Sequence, residues 1–104
     1  MIRKAFKMKV YADRTDEYVD RHNPIWPELA ETLGAHGVSN YSIFLDDETN
    51  TLFGYAEVKS EEQWDAIAQT KVCREWWAYM RELMETNADD SPVSTDLREV
   101  FHLK

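Results

Sequence analysis

Apolar residues recur at alternate positions as the chain opens. Ile2, Phe6, Met8 and Val10 fall on one face, with Lys4 interrupting them, and Arg3, Lys7 and Lys9 fall on the other. A period of two predicts a strand over residues 2–10. Between residues 13 and 34 the spacing lengthens: Tyr18, His22, Ile25, Trp26, Leu29 and Leu33 follow one another at three or four and form the stripe of an amphipathic helix. Pro24 and Pro27 stand inside that stripe. A proline within a helix removes a backbone donor and crowds an earlier carbonyl, at a cost of about 3 kcal/mol. The pattern therefore predicts a break near His22, with Asn23 capping a restarted helix, Pro24 in its first turn and Gly34 or Gly37 at its end.

Two apolar runs follow, over residues 39–45 and 51–58, joined by Asp46-Asp47-Glu48-Thr49-Asn50, which reads as a hairpin. The second run presents Leu52, Gly54, Ala56 and Val58 to one side and Phe53, Tyr55 and Glu57 to the other, so both faces carry apolar groups. Ser60-Glu61-Glu62-Gln63 fits a capping box. The helix it opens carries Trp64, Ile67 and Ala68, and a further helical stretch presents Val72, Cys73, Trp76, Trp77, Met80, Leu83 and Met84 on one broad face. Residues 87–94 form a polar loop containing Pro92, and residues 97–103 read as a final short strand. Strand, helix, hairpin, helices, strand is the order of a ferredoxin-like α+β fold: one antiparallel sheet with helices on one face, in a single domain over residues 1–104. The opposite sheet face then needs a cover. A second copy of the sheet would supply it in a two-fold homodimer.

Charge and composition narrow the function classes. The formal net charge of −8 opposes binding to nucleic acid or to an anionic membrane surface. The single cysteine, Cys73, excludes an internal disulfide and suits a reducing compartment. The basic residues near the N-terminus are interleaved with apolar ones and do not make a signal peptide, so the expected location is cytoplasmic. With three glycines there is no glycine-rich phosphate loop, and nothing points to a nucleotide or other cofactor. His22, His36 and His102 lack the paired spacing of a metal site. The acidic turn at residues 46–50 lacks the glycine and ligand spacing of a calcium loop.

Four tryptophans in 104 residues are rich for this length, though composition alone does not separate the uses they can have. Aromatic rings supply buried area, and they also stack on the apolar faces of sugar rings. His22 lies on the apolar stripe, four residues after Tyr18, beside the predicted break. An imidazole titrates near neutrality, as proton transfer requires, but the residues alone leave a hydrogen-bonded core histidine equally open. Trp76-Trp77 and Tyr41 read either as core or as the lining of a cleft, whereas Trp26, Trp64 and Cys73 read as core.

Two longer motifs add to this reading. Residues 18–29, Tyr-Val-Asp-Arg-His-Asn-Pro-Ile-Trp-Pro-Glu-Leu, and residues 72–80, Val-Cys-Arg-Glu-Trp-Trp-Ala-Tyr-Met, resemble the two main motifs of the L-rhamnose mutarotases. The start, residues 1–6, and Ser91-Pro92-Val93-Ser94 resemble that family as well. The family's late loop reads Asn-Pro-Asp-Asn-Ser-Pro-Val, and here the chain departs from it with Asn87-Ala88-Asp89-Asp90-Ser91-Pro92-Val93. The resemblance implies a dimeric α+β barrel that interconverts the α and β anomers of L-rhamnose without a cofactor or metal. It implies that His22 is the proton donor and that Tyr18, Tyr41, Trp76 and Trp77 contact the sugar. A ligand-sensing module without turnover and a cofactor-free monooxygenase are the alternative readings.

Overall fold

The computed structural model describes all 104 residues. Strand β1 (Ile2–Lys9) leads to helices α1 (Thr15–Arg21) and α2 (Pro27–Ala35). The hairpin β2 (Val38–Asp46) and β3 (Thr51–Val58) follows, then helices α3 (Glu61–Ile67) and α4 (Lys71–Met80) and the short strand β4 (Thr95–Leu97). The four strands form one antiparallel sheet in the order β2-β3-β1-β4. This is the expected ferredoxin-like α+β architecture.

The period-two pattern decides which face is buried. Phe6 and Met8 of β1 and Leu52 of β3 pack with Tyr18, Leu29, Trp76 and Met80 of the helices, and Val10, Leu83 and Met84 complete the same core. Arg3, Lys7, Lys9, Phe44 and Phe53 lie on the opposite, open face. Lys4, the odd residue on the inner face, is accommodated by pairing. Its ammonium donates to both carboxylate oxygens of Glu61, at 3.0 and 2.9 Å, and lies over the Trp64 ring. No helix is long and apolar enough to cross a membrane.

The helix break occurs at the expected place but is resolved differently. Helix α1 stops at Arg21, and α2 restarts with Trp26 as its N-cap and Pro27 in its first turn, three residues later than Asn23 and Pro24 would have placed it. Asn23 instead stays with α1: its side-chain amide donates at 2.8 Å to the Val19 carbonyl, which also accepts from the His22 amide at 3.1 Å. Gly37, at φ +80°, terminates α2 in a conformation that L residues avoid. The Ser60 hydroxyl caps α3 by accepting from the Gln63 amide at 3.1 Å.

Two expectations at the C-terminal end are corrected. Helix α4 ends at Met80, so Leu83 and Met84 reach the core from a turn and from an isolated bridge between Val10 and Met84. The last strand covers Thr95–Leu97 instead of residues 97–103, because β4 pairs with β1 only opposite Ala5–Lys7. Beyond it Val100, Phe101 and Leu103 are 80, 78 and 81% exposed. Backbone pairing stops at Leu97 although β1 runs on to Ile2, and beside that unpaired stretch the Arg3 guanidinium donates to the Glu99 carboxylate.

Candidate functional site

Between the inner face of the sheet and the helices lies a cavity of about 940 Å³, at the upper end of the roughly 300–1,000 Å³ usual for small-molecule sites. Most of its lining side chains are apolar or aromatic. All five residues singled out from sequence reach it: Tyr18 and His22 from α1, Tyr41 from β2, Trp76 and Trp77 from α4.

The end of α1 sets the orientation of His22. As the C-cap residue it stands one turn beyond Tyr18, and its Nδ1 lies 2.9 Å from the Tyr18 carbonyl oxygen. A carbonyl oxygen only accepts, so Nδ1 carries the hydrogen and donates it. In the neutral ring Nε2 is therefore the bare nitrogen. The Tyr18 ring stacks on the imidazole at 4.3 Å between centroids, and Trp76 meets it edge-on at 5.2 Å and 89°. Burial lowers the His22 pKa below 6.5, opposed by the hydrogen bond to the Tyr18 carbonyl, which favours the charged form.

Tyr18 is a core residue by exposure, yet no buried polar side-chain atom in the molecule lacks a partner. With no protein group bonded to it, its hydroxyl opens into the cavity. Tyr41 arrives by a different device. A bulge between Ser39 and Ser42 sets Asn40 and Tyr41 opposite a single residue of β3, with Asn40 at φ 48°. Bulges re-aim side chains in this way. The result places the Tyr41 ring against Phe6 and Trp64, each about 6.1 Å away. Tyr41 is 37% exposed as a whole residue, and burial raises the pKa of its phenol. Burial raises the Tyr18 phenol as well. Both phenols keep their protons at neutral pH.

Sequence reasoning missed several contributors. Trp64, read as core, is half-buried and lines the cavity, as do Phe6 and Met8 of β1. Trp26 stays behind the wall, edge-on to Trp76 at 5.1 Å and 86°. Arg21, adjacent to His22, ties α1 to α4: its guanidinium donates to the Tyr79 carbonyl and to Glu82 and lies 4.2 Å over the Tyr79 ring. Tyr79 packs in turn on Trp26 and Trp76. The loop after α4 forms part of the mouth, folded on itself by Asn87 donating to Ser91 and by Asp89 accepting from the Ser91 amide and hydroxyl. Cys73 is buried and its thiol is pushed up to about 11, which keeps it protonated. None of these positions carries a local motif. Their convergence depends on strands and helices far apart in the chain.

A single antiparallel sheet backed by helices, over a cavity walled by aromatic rings with one imidazole in reach, defines a ferredoxin-like α+β protein equipped to bind a small, partly apolar ligand and to move a proton on it. The sequence profile of the L-rhamnose mutarotases matches residues 3–103. The chain belongs to the L-rhamnose mutarotase family, carbohydrate isomerases that interconvert anomers. It is 60% identical over 103 residues to an L-rhamnose mutarotase of Pectobacterium carotovorum subsp. carotovorum, covering 99% of each chain. It is 54% identical to one of Clostridium beijerinckii, covering both chains fully. The crystal structure of an L-rhamnose mutarotase from Formosa agariphila superimposes with a TM-score of 0.92 at 42% identity, over 100% of both chains. A dimeric ferredoxin-like protein from an uncultured marine organism shares the fold alone, at TM-score 0.62 and 13% identity, over 98% of this chain and 94% of that one.

Proposed function

We propose that L-rhamnose binds in the cavity between the sheet and the helices, and that His22 donates the proton that opens the sugar ring. Tyr18, Tyr41, Trp76 and Trp77 hold the substrate. Mutarotation breaks the bond between the anomeric carbon and the ring oxygen, turns the aldehyde and closes the ring again. It needs one proton delivered to the ring oxygen and one taken from the anomeric hydroxyl, with no change of oxidation state. The observation that carries the assignment is the imidazole itself: it is the one histidine lining the cavity, and its Nε2 is free because Nδ1 is held by Tyr18. L-Rhamnose is a 6-deoxy sugar, so one end of it is a methyl group. Aromatic and apolar walls match that end, and the Tyr18 and Tyr41 hydroxyls can reach the sugar's own hydroxyls. The test is a polarimetry trace. Freshly dissolved α-L-rhamnose should reach its equilibrium rotation faster with the protein present and arrive at the same endpoint. An unchanged trace would remove the assignment.

Trp76 and Trp77 serve as stacking surfaces in this reading. Replacing either with Phe keeps the fold and weakens rhamnose binding, by about 0.5–1.5 kcal/mol where one aromatic contact is reduced. The tryptophan fluorescence of the unaltered protein should change saturably on titration with the sugar. If neither replacement shifts the titration, both tryptophans serve packing alone.

A homodimer is part of the same proposal. The open sheet face carries Phe44 at 66% exposure together with Phe53, and Val100, Phe101 and Leu103 extend from its edge. Phe44 and Phe53 are cross-strand neighbours on that face, with Lys7 and Lys9 among them, and exposed rings so placed support an interaction site. A stable dimer would bury on the order of 1,000 Å² or more in total. Light scattering at micromolar concentration should return about twice the 12.3 kDa chain mass, and a monomer mass would overturn the dimer. A single core cluster supports one domain over residues 1–104. The free, buried thiol of Cys73 supports a reducing, cytoplasmic location.

A further inference from the structure

We infer that His22 works alone as the acid–base group: its Nε2 takes the proton of the anomeric hydroxyl and delivers that same proton to the ring oxygen, and no second side chain serves as the base. The inference rests on the proton-transfer role proposed for His22 above and specifies where its proton comes from. The two sugar oxygens that exchange the proton are bonded to the same carbon, so one nitrogen can serve both.

The geometry supplies such a nitrogen. The hydrogen bond from Nδ1 to the Tyr18 carbonyl commits that side of the ring, and Tyr18 and Trp76 hold the imidazole in place, leaving Nε2 as its one free proton site. Among the titratable groups lining the cavity, Tyr18 and Tyr41 hold their protons, as does Cys73. Arg74 is a cation that donates to Gln69. Asp89 is engaged by the amide and hydroxyl of Ser91, and Asp90 is paired with Arg81. Asp65 on α3 and Asp96 on β4 are exposed at the rim.

A carboxylate sharing one hemiacetal with His22 would stand a few ångströms from the imidazole and raise its pKa. Two influences act on His22, burial and the Tyr18 carbonyl, and neither is a charged side chain. The neighbourhood therefore favours a neutral resting ring that accepts first and donates second.

The step balances. The hydroxyl proton on the anomeric carbon passes to Nε2, and the electron pair left on that oxygen forms the carbonyl. The bond to the ring oxygen breaks with its electrons going to that oxygen, which takes the proton from Nε2. The imidazole is neutral again beside the open-chain aldehyde. After a half-turn about the bond between the first two carbons, the same sequence in reverse closes the ring with the opposite configuration. Nothing is oxidised or reduced.

The measurement is kcat/KM for anomer exchange of L-rhamnose, by saturation-transfer NMR with the uncatalysed rate subtracted, from well below to well above pH 6.5. The His22 pKa is read in the same samples from its ring-proton shift. The expected profile rises with pH through that pKa, about tenfold per pH unit on its acid side, and is level above it, because the neutral ring is the active form. Asp65→Asn and Asp96→Asn should stay within about twofold of the unaltered protein. A profile that falls as pH rises through the His22 pKa would overturn the inference, since imidazolium would then be the resting donor with a separate base. So would a loss on the order of 100-fold from either carboxylate replacement, the size of a general-base contribution. Either result, with His22→Ala inactive, leaves the donor assignment standing. An active His22→Ala overturns both.

Discussion

Replacing His22 with alanine lowers mutarotation of L-rhamnose by about 10²–10⁴-fold, which is about 3–5 kcal/mol of barrier at 1.36 kcal/mol per decade. Folding suffers less. The substitution removes a half-buried ring, one hydrogen bond to the Tyr18 carbonyl and two aromatic contacts, each worth about 0.5–1.5 kcal/mol when fully buried and less at this half-exposed position. A histidine serving the core alone would give the opposite pattern, with stability lost and turnover per folded molecule unchanged. Acidification separates the contributions further. The folded pKa of His22 lies below its unfolded value of 6.5, so between the two values the unfolded chain binds more protons and stability rises with pH. The stabilisation from the neutral ring is fully present above pH 6.5 and is lost as pH falls toward the folded pKa. The difference in unfolding free energy between the unaltered protein and His22→Ala therefore narrows on acidification. Thermal unfolding of both proteins across this window, paired with saturation-transfer NMR at neutral pH, checks stability and chemistry together. A folded His22→Ala protein with unaltered exchange would move the donor elsewhere, with Tyr18 the next candidate.

Gly54→Ala destabilises the fold by about 1–3 kcal/mol, the usual cost of overpacking, and weakens sugar binding. A methyl group on Gly54 would lie 2.5 Å from both Cε2 and Cζ of Phe6 and 3.1 Å from its Cδ2. Gly54 and Phe6 face each other across the β1–β3 ladder. The ring cannot swing aside freely, because Tyr41 and Trp64 pack against it at 6.1 and 6.0 Å. Relief comes from pushing Phe6 into the cavity it lines. A drop in melting temperature of about 4–8 °C per kcal/mol is expected for a domain of this size, with a raised KM for rhamnose. Phe6→Leu in the same chain should recover part of the stability by making room. Gly34→Ala is the control: nothing lies within 4 Å of the added methyl, and in the last turn of α2 alanine should stabilise by no more than about 0.5 kcal/mol, less than in a helix interior. If Gly54→Ala unfolds at the temperature of the unaltered protein, Phe6 is not wedged and the sheet tolerates the methyl.

Much of the architecture was legible along the chain because short-range periodicity reports burial directly. The alternation of Phe6, Met8 and Val10 against Arg3, Lys7 and Lys9 separated the two faces of β1, whereas in β3 both faces carried apolar groups and the structure decided that Leu52, Ala56 and Val58 are the buried ones. The pair of prolines located the break after α1, and Ser60 with Gln63 marked the start of α3. The five candidate residues were identified in sequence, by pattern and by family resemblance, and all of them reach one cavity. The detail of the break was not legible. Asn23 was suited to starting a helix, but its amide bonds back to the Val19 carbonyl of α1, and α2 begins at Pro27.

The sequence by itself determined the order of elements, the face β1 buries and the presence of an imidazole beside a helix break. Tertiary structure alone decided what those groups can do. The nitrogen that His22 has free follows from a carbonyl one turn back in α1, and its lowered pKa from burial against α4. Tyr41 faces the cavity because a bulge in β2 adds a residue opposite β3. Trp64, expected in the core, lines the cavity beside Phe6, a residue 58 positions earlier whose ring lies over Gly54. Residues 98–103 were read as part of the last strand and remain outside the sheet: backbone pairing to β1 stops at Leu97, and the contact continues through the Arg3–Glu99 side-chain pair. Periodicity is a property of neighbours in the chain. Protonation, reach and register are set by neighbours in space, and these become known only when the elements have packed.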